Sequence, residues 1–291
     1  MTRPTDPPMP SPEEATPGIV AALRAAGCVF AEEEARLLLD HARTPADLEQ
    51  LVRRRVAGEP LEHLLGWAEF AGLRIVVGPG VFVPRRRTRL LVAETLAAVR
   101  GIREAGRRPV VVLDLCCGSG AVAAALATTL HAGADPDPGV EVHAADADPA
   151  AVRCARRNLD GIAEVHCGDL FTALPARLRG SIDVLAASPP YVPTDAVRLL
   201  PPEARDHEPR AALDGGPDGL DVVRAILASA PSWLRPGGVV LFDLGGDQAP
   251  AATALLSEHG FVPQVFRRDD LGATVVSGSS RTAAPRRARH P

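Results

Sequence analysis

The run Val110-Val111-Val112-Leu113-Asp114-Leu115 passes directly into Cys116-Cys117-Gly118-Ser119-Gly120 and then into an alanine-rich stretch from Ala121 to about Leu130. So apolar and β-branched a run reads as a strand buried on both faces, which is the signature of a parallel sheet. The alanines read as a helix, and the two glycines between them as a tight turn. A strand, a glycine turn and a helix in that order commit the chain to an α/β fold.

The same alternation continues downstream. Val140 to Ala145 is a second strand ending at Asp146, followed by a helix from Pro149 to about Asn158. Val165-His166-Cys167 is a third, ending at Asp169, and Ile182 to Ala187 a fourth, ending at Ser188. A helix over Leu220–Trp233 leads through Pro236-Gly237-Gly238 into the strand Val239–Leu244. A helix over Pro250–His259 and strand segments near Phe261–Arg267 and Thr274–Ser277 close the pattern. Such a chain forms a doubly wound parallel sheet that takes its ligand at the carboxyl ends of the strands.

Polar residues gather at those ends. Gly118 and Gly120 let the backbone approach a ligand closely. Asp146, 26 residues past Gly120, is placed to accept from two ribose hydroxyls, and Asp169 from an adenine amino group, so the set suits an adenosyl ligand. Gly118-Ser119-Gly120-Ala121-Val122-Ala123 also meets the loose dinucleotide fingerprint, a weak match when alone. Asp114 would repel a pyrophosphate but can face the ammonium of a methionine moiety, which favours S-adenosylmethionine over a nicotinamide dinucleotide. Cys116 and Cys117 read as small loop residues rather than a redox pair. The chain has no Lys to complete a P-loop and no H-E-x-x-H or paired Cys/His metal motif.

After the fourth strand comes Ser188-Pro189-Pro190-Tyr191. Neither proline can donate to a ladder, so the segment offers outward carbonyl oxygens on a stiff backbone beside an aromatic ring. That suits a planar amide or amino group, whose N–H bonds the carbonyls accept while the ring packs on its face. Taken alone, the tetrapeptide reads more readily as a stiff surface turn, and its context reverses that.

With 46% hydrophobic and 23% charged residues the chain has ample material for a core, and a net charge of −4 gives no general pull toward nucleic acid. Every one of the 32 basic residues is Arg. Five cysteines with no C-x-x-C pair predict no disulfide framework. No apolar run reaches the ~18–20 residues of a membrane span, and no signal-peptide pattern opens the sequence. A cytoplasmic protein is expected.

The proline-rich segment 1–17 predicts a disordered arm and the arginine-rich segment 280–291 a basic disordered tail. Residues 18–66 carry helical patterns. Thr44 caps the clearest of them, whose apolar stripe is Leu48, Leu51, Val52 and Val56. This small lobe reads as a partner-recognition unit or as a packing extension of the main domain. Over residues 67–84 two strands are expected, Leu73–Val77 and Val81–Val83, around Gly78-Pro79-Gly80. Arg85, Arg86, Arg87 and Arg89 then stand at the start of a helix running to about Val99, where cations oppose the macrodipole. They form either a solvated basic face or a patch for an anionic group. Residues 85–279 make up the main domain.

These residues together resemble the HemK-type protein glutamine N5-methyltransferases. The resemblance runs from about Gly58 to Gly278. It rests on Gly58-Glu59-Pro60-Leu61, Phe82-Val83-Pro84-Arg85, Leu113 to Gly120, Ser188-Pro189-Pro190-Tyr191, Glu208-Pro209, Ala212-Leu213, Gly215 to Leu220 and Leu234 to Gly238. It implies the seven-stranded, Rossmann-like S-adenosylmethionine-dependent methyltransferase fold with an N-terminal helical lobe for the partner and the segment 67–84 as a hairpin joint. It implies cofactor binding by Asp114, Cys116, Cys117, Gly118, Ser119, Gly120, Asp146, Asp169 and Leu170. The acceptor would meet Phe82, Arg85, Ser188 and Tyr191, with Ser188, Pro189, Pro190 and Tyr191 as the catalytic segment. The implied partner is a class I release factor, through its Gly-Gly-Gln loop, or a ribosomal protein, with no stable nucleic-acid partner and no membrane.

An amide nitrogen is a poor nucleophile because its lone pair is delocalised. Holding its two N–H groups on the Ser188 side chain and the Pro189 carbonyl aims it and favours the developing positive charge. A neutral thioether leaves and the product amide sheds a proton readily, so neither a general acid nor a dedicated base is required. The sequence departs from the family in carrying Ser188 where Asn is usual, Arg87 where an acid is usual, and a shorter lobe. A nucleic-acid amino-methyltransferase and a non-catalytic adenosyl-binding module are the rival readings.

Overall fold

The computed structural model describes residues 11–132 and 139–280. Four helices lead: α1 (Pro12–Ala25), α2 (Ala31–His41), α3 (Pro45–Val56) and the short α4 (Leu61–Leu65). Thr44 accepts from the Asp47 N–H at 3.1 Å, as its sequence position predicts. The lobe has its own core of Ile19, Val20, Leu23, Ala35, Leu38, Leu48, Leu51 and Leu64. Helix α1 begins at Pro12, inside the segment expected to be a disordered arm. Ser11-Pro12-Glu13-Glu14 is a helix start of cap, proline and acids, and it lies ahead of the first apolar stripe residue, Ile19. The rest of that arm, residues 1–10, and the tail from 281 onward lie outside the described residues.

The hairpin differs from expectation. Strand β1 (Trp67–Phe70) pairs antiparallel with β2 (Leu73–Val76), and Val81–Val83 forms no strand. The turn is Ala71-Gly72, both at positive φ (52° and 82°), the two-residue geometry that matches strand twist. Val81 and Val83 are buried because they are anchored individually. The Val81 carbonyl meets His63 Nε2 at 2.8 Å and the Val83 N–H donates to Glu208 Oε1 at 3.0 Å.

The main domain follows as α5 (Arg89–Glu104), β3 (Val110–Leu115), α6 (Ala121–His131), β4 (Val140–Asp146), α7 (Pro149–Asn158), β5 (Glu164–Cys167) and β6 (Ile182–Ala187). Then come α8 (Pro202–His207), α9 (Asp221–Trp233), β7 (Leu234–Leu244), α10 (Ala249–Glu258), β8 (Phe261–Arg268) and β9 (Ala273–Ser280). Helix α5 outruns its expected end near Val99, so Gly101–Glu104 is helical rather than a break; Arg85–Arg87 lie in a short turn just before it. The seven strands are ordered β5-β4-β3-β6-β7-β9-β8, with β9 antiparallel to its neighbours and the rest parallel. This is the doubly wound, Rossmann-like sheet the sequence predicts, with the direction of winding reversing between β3 and β6. One face is covered by α5 and α6, the other by α9 and α10 with Phe171, Leu174 and Leu178.

Two polar devices join the parts. Arg55 on α3, 5% exposed, is bound by Glu34 of α2 at 2.6 Å and by Glu203 of α8 at 2.6 Å, which ties the lobe to the main domain. Asn158 at the end of α7 exchanges two bonds with the Val76 backbone (2.8 and 2.9 Å) and donates to the Ser119 carbonyl at 2.8 Å. One side chain thereby joins hairpin, helix and glycine turn.

Candidate active site

The ladders pair Ala145 with Leu115, Leu115 with Ala187, and Ala187 with Phe242. The next residue on each strand is therefore Asp146, Cys116, Ser188 and Asp243, side by side across the carboxyl edge of β4, β3, β6 and β7. A cavity of ≈ 640 Å³ opens over this row, a size that suits a small-molecule ligand with room for a reacting group.

On its β4 side the cavity is lined by Leu115, Cys116, Gly118, Asp146, Ala147, Asp148, Asp169 and Leu170. Asp146 Oδ2 accepts from the Gly118 N–H at 2.8 Å and Oδ1 from the Asp148 N–H at 2.9 Å. Each oxygen keeps a further lone pair, so the carboxylate can brace the turn and still accept from a diol. Burial pushes its pKa up, and the backbone N–H bonds oppose that. With apolar Ala147 and Leu170 beside it, this half has the chemistry an adenosyl group requires.

Not every expected residue reaches the cavity. Asp114 is 1% exposed and turned into the helix instead, where Oδ2 accepts from the Ala123 N–H at 3.0 Å and Oδ1 has no partner. It does not line the cavity, and its carboxylate faces α6. Burial raises its pKa to about 7. Cys117 and Ser119 are also buried behind the turn. Gly120, at φ 77°, caps α6, and a Cβ there would stand 3.0 Å from Leu159 and 3.1 Å from Ala155. These residues shape the turn from behind. Burial raises both cysteine thiols far above their ordinary range, so neither supplies a thiolate.

The opposite side holds Phe82, Arg85, Arg87, Thr88, Asp243 and the segment Ser188 to Val192. Arg85 lies over the Phe82 ring, 4.7 Å from its centroid, and pairs with buried Glu208, which also holds the Val83 N–H. Arg87 donates to the Tyr191 hydroxyl and lies 5.5 Å from that ring's centroid. The arginines are therefore partnered within the site, and the alternative of a purely solvated basic face does not describe Arg85 and Arg87. Thr88 Oγ1 donates to Asp243 Oδ2 at 2.6 Å and Ser188 Oγ to the same oxygen at 3.4 Å; Asp243 Oδ1 is buried without a partner. Burial raises the Asp243 pKa, opposed by the Thr88 bond and the Arg87 charge.

The Ser-Pro-Pro-Tyr segment is held by its neighbours, which explains the remaining residues of the resemblance. The Val192 N–H donates to Leu213 O and the Gly215 N–H to Val192 O, both at 2.9 Å. Gln248 Nε2 donates to Tyr191 O at 2.8 Å and Asp218 O at 2.9 Å. A Cβ on Gly219, at φ 77°, would fall 2.1 Å from Tyr191 O. The sequence reading missed Asp243, Thr88 and Gln248. Asp243 carries the same signal as Ser188, a polar residue at the end of an apolar strand, and was open to being found.

The comparisons with known proteins agree with this geometry. A release factor glutamine methyltransferase from Streptomyces coelicolor is 42% identical over 237 residues, spanning 81% of this chain and 80% of that one. The chain belongs to the release factor glutamine methyltransferase family. The family member from Geobacter sulfurreducens is 38% identical over 233 residues, 78% of this chain and 75% of that one. A 4-amino-L-phenylalanine/4-methylamino-L-phenylalanine methyltransferase from Streptomyces pristinaespiralis is 35% identical over 245 residues, 79% of this chain and 81% of that one. No family model matches the chain. Among the described residues no helix is long and apolar enough to cross a membrane.

Proposed function

We propose that this chain transfers a methyl group from S-adenosylmethionine to the side-chain amide nitrogen of a glutamine in the Gly-Gly-Gln loop of a class I release factor. The observation that carries the proposal is Ser188-Pro189-Pro190-Tyr191, held at the end of β6 beside the Asp146 half of one cavity, in a chain 42% identical to a release factor glutamine methyltransferase. The cofactor, when bound, supplies an electrophilic methyl on a sulfonium. Asp146 holds its ribose, and Leu170, Ala147 and Asp169 its base. The Pro189 carbonyl and Ser188 Oγ take the two amide N–H groups of the acceptor, and the Tyr191 and Phe82 rings flank its plane. Asp243 turns Ser188 so that its lone pairs face the amide, and its negative charge favours the cationic amide that forms. The helical lobe, fixed through Arg55 to α8, meets the release factor beyond its loop.

A second reading, methyl transfer to an aromatic amine, is favoured by Ser188. A hydroxyl reaches less far than a carboxamide, and its proton is already directed to Asp243. An aromatic amine needs less orientation than an amide, and the relative named for 4-amino-L-phenylalanine has nearly the same coverage. Methyl transfer from labelled S-adenosylmethionine to purified release factors, a ribosomal fraction, DNA and an aromatic amine, with mass spectrometry of the product, tests both. Label on the glutamine of a Gly-Gly-Gln loop is the expected result. Label on the amine alone selects the second reading, and label on DNA or a ribosomal protein overturns both.

A further inference from the structure

Outside the cavity lining, β4 and β5 bring together His143, Glu164 and His166. His143 pairs with Glu164 across the ladder and Ala145 with His166, so all three side chains project from one face. His143 Nδ1 is 3.3 Å from His166 Nε2, and Glu164 Oε2 lies 3.8 and 3.9 Å from those two nitrogens. None of the three lines the cavity.

Two imidazole nitrogens bound to one tetrahedral ion at ~2.0–2.1 Å stand about 3.3–3.4 Å apart, which is the spacing found. A plain hydrogen bond from the His166 Nε2–H to His143 Nδ1 gives a similar distance and the same His143 tautomer; the Glu164 oxygen at 3.8 and 3.9 Å from the two nitrogens completes a three-ligand set that such a bond does not need. His143 Nε2 is buried without a hydrogen-bond partner, with Glu141 Oε2 3.7 Å away. Were Nδ1 the donor, Nε2 would present a bare lone pair to a carboxylate, acceptor against acceptor. With the proton on Nε2 it points to Glu141, and Nδ1 turns a lone pair into the cluster. That is the tautomer a metal ligand adopts when an outer carboxylate holds its other nitrogen.

We propose that His143, His166 and Glu164 form a binding site for a divalent transition-metal ion of the zinc class, with Glu141 fixing the His143 tautomer. Burial lowers the pKa of both imidazoles. Arg177 competes, since it donates to both Glu164 oxygens, Oε1 at 2.7 Å and Oε2 at 2.5 Å, and the ion must share that carboxylate. The site staples the edge strand β5 to β4, its histidines each three residues ahead of Asp146 and Asp169. Three protein ligands leave a fourth position for water.

Titration of the full chain with cobalt(II) and zinc(II) tests this. One equivalent of cobalt is expected to give the visible bands of a tetrahedral nitrogen–oxygen site, and zinc to raise the melting temperature. His166→Ala should abolish both effects, and exposed Glu164→Gln should weaken binding without altering the metal-free melting temperature. Glu141→Gln should weaken it about 10- to 100-fold, whereas Arg177→Ala, by releasing Glu164, should strengthen it. Absence of binding, binding unchanged in His166→Ala and Glu164→Gln, or a thiolate charge-transfer band placing the ion on a cysteine would each overturn the proposal.

Discussion

Ser188 and Asp243, at the ends of adjacent strands, share a hydrogen bond of 3.4 Å from the serine hydroxyl to Oδ2 of the acid. The same oxygen takes the shorter bond from Thr88, and the second oxygen is left over. In Asp243→Asn the charge disappears while shape remains, and the amide oxygen in the place of Oδ2 still accepts from both hydroxyls. Methyl transfer is expected to fall about 100-fold or more, the scale for removing one group directed at developing charge. The dissociation constant for S-adenosylmethionine, from calorimetry, should change little; an equal loss in both would place Asp243 in cofactor binding instead.

Asp146 and Tyr191 occupy opposite halves of the cavity, so their alanine variants should separate binding from transfer. Asp146→Ala removes charge-assisted bonds worth about 1.5–3 kcal/mol each, and cofactor affinity should drop about 100-fold or more. Tyr191→Ala should leave cofactor affinity within a few-fold and lose transfer in single-turnover assays. Normal turnover by both would mean that the chemistry lies elsewhere.

Asn158→Ala deletes three hydrogen bonds that join the hairpin, α7 and the glycine turn. At about 1 kcal/mol net for each bond, urea unfolding should show a loss of about 3 kcal/mol. Cofactor affinity should fall as well, because the Ser119 carbonyl is released from the turn.

Gln248→Ala frees the Tyr191 carbonyl without touching the cavity wall. The segment then has more conformations to lose on binding, so KM for the acceptor should rise several-fold with cofactor affinity unchanged. Restored KM in Gln248→Glu would argue against this role, since a carboxylate cannot donate to that carbonyl.

Asp114 sets a pH dependence of stability. Its pKa is raised from 3.8 to about 7 by burial, so folding favours the protonated form. Its contribution is fullest below the unfolded value and is lost as pH rises through the folded one. Over that window the loss is of order 4 kcal/mol at most. Asp114→Asn has no such charge to bury, so the urea midpoint of the variant relative to the parent should improve from about pH 4 to about pH 7 and level off above it. A constant difference would mean that Asp114 keeps an ordinary carboxylate pKa.

What could be read beforehand follows from where the information is stored. Strands β3 and β6 are buried on both faces, so their identity shows as continuous apolar runs, and Ser188, the polar residue that ends the β6 run, marks the site. Contacts between segments far apart in the chain have no local mark: Thr88 meets Asp243 across 155 positions and Arg85 meets Glu208 across 123. The hairpin lies one turn earlier than the sequence predicts, because Val81 and Val83 are apolar for burial, not for pairing. Asp114 ends beneath the turn because its carboxylate takes an N–H of α6, which the alternation of apolar and polar residues does not reveal.

The row of Asp146, Cys116, Ser188 and Asp243 has a consequence for how such a chain can vary in length. Each of these residues follows a laddered position, and side chains alternate between the two faces of a strand. Deleting one residue inside β3 or β6 would turn every later side chain of that strand over, burying its polar end and presenting an apolar one at the rim. The same deletion in a surface connection at the opposite edge would leave the row intact. Changes in length should therefore be borne at the amino ends of these strands and refused within them.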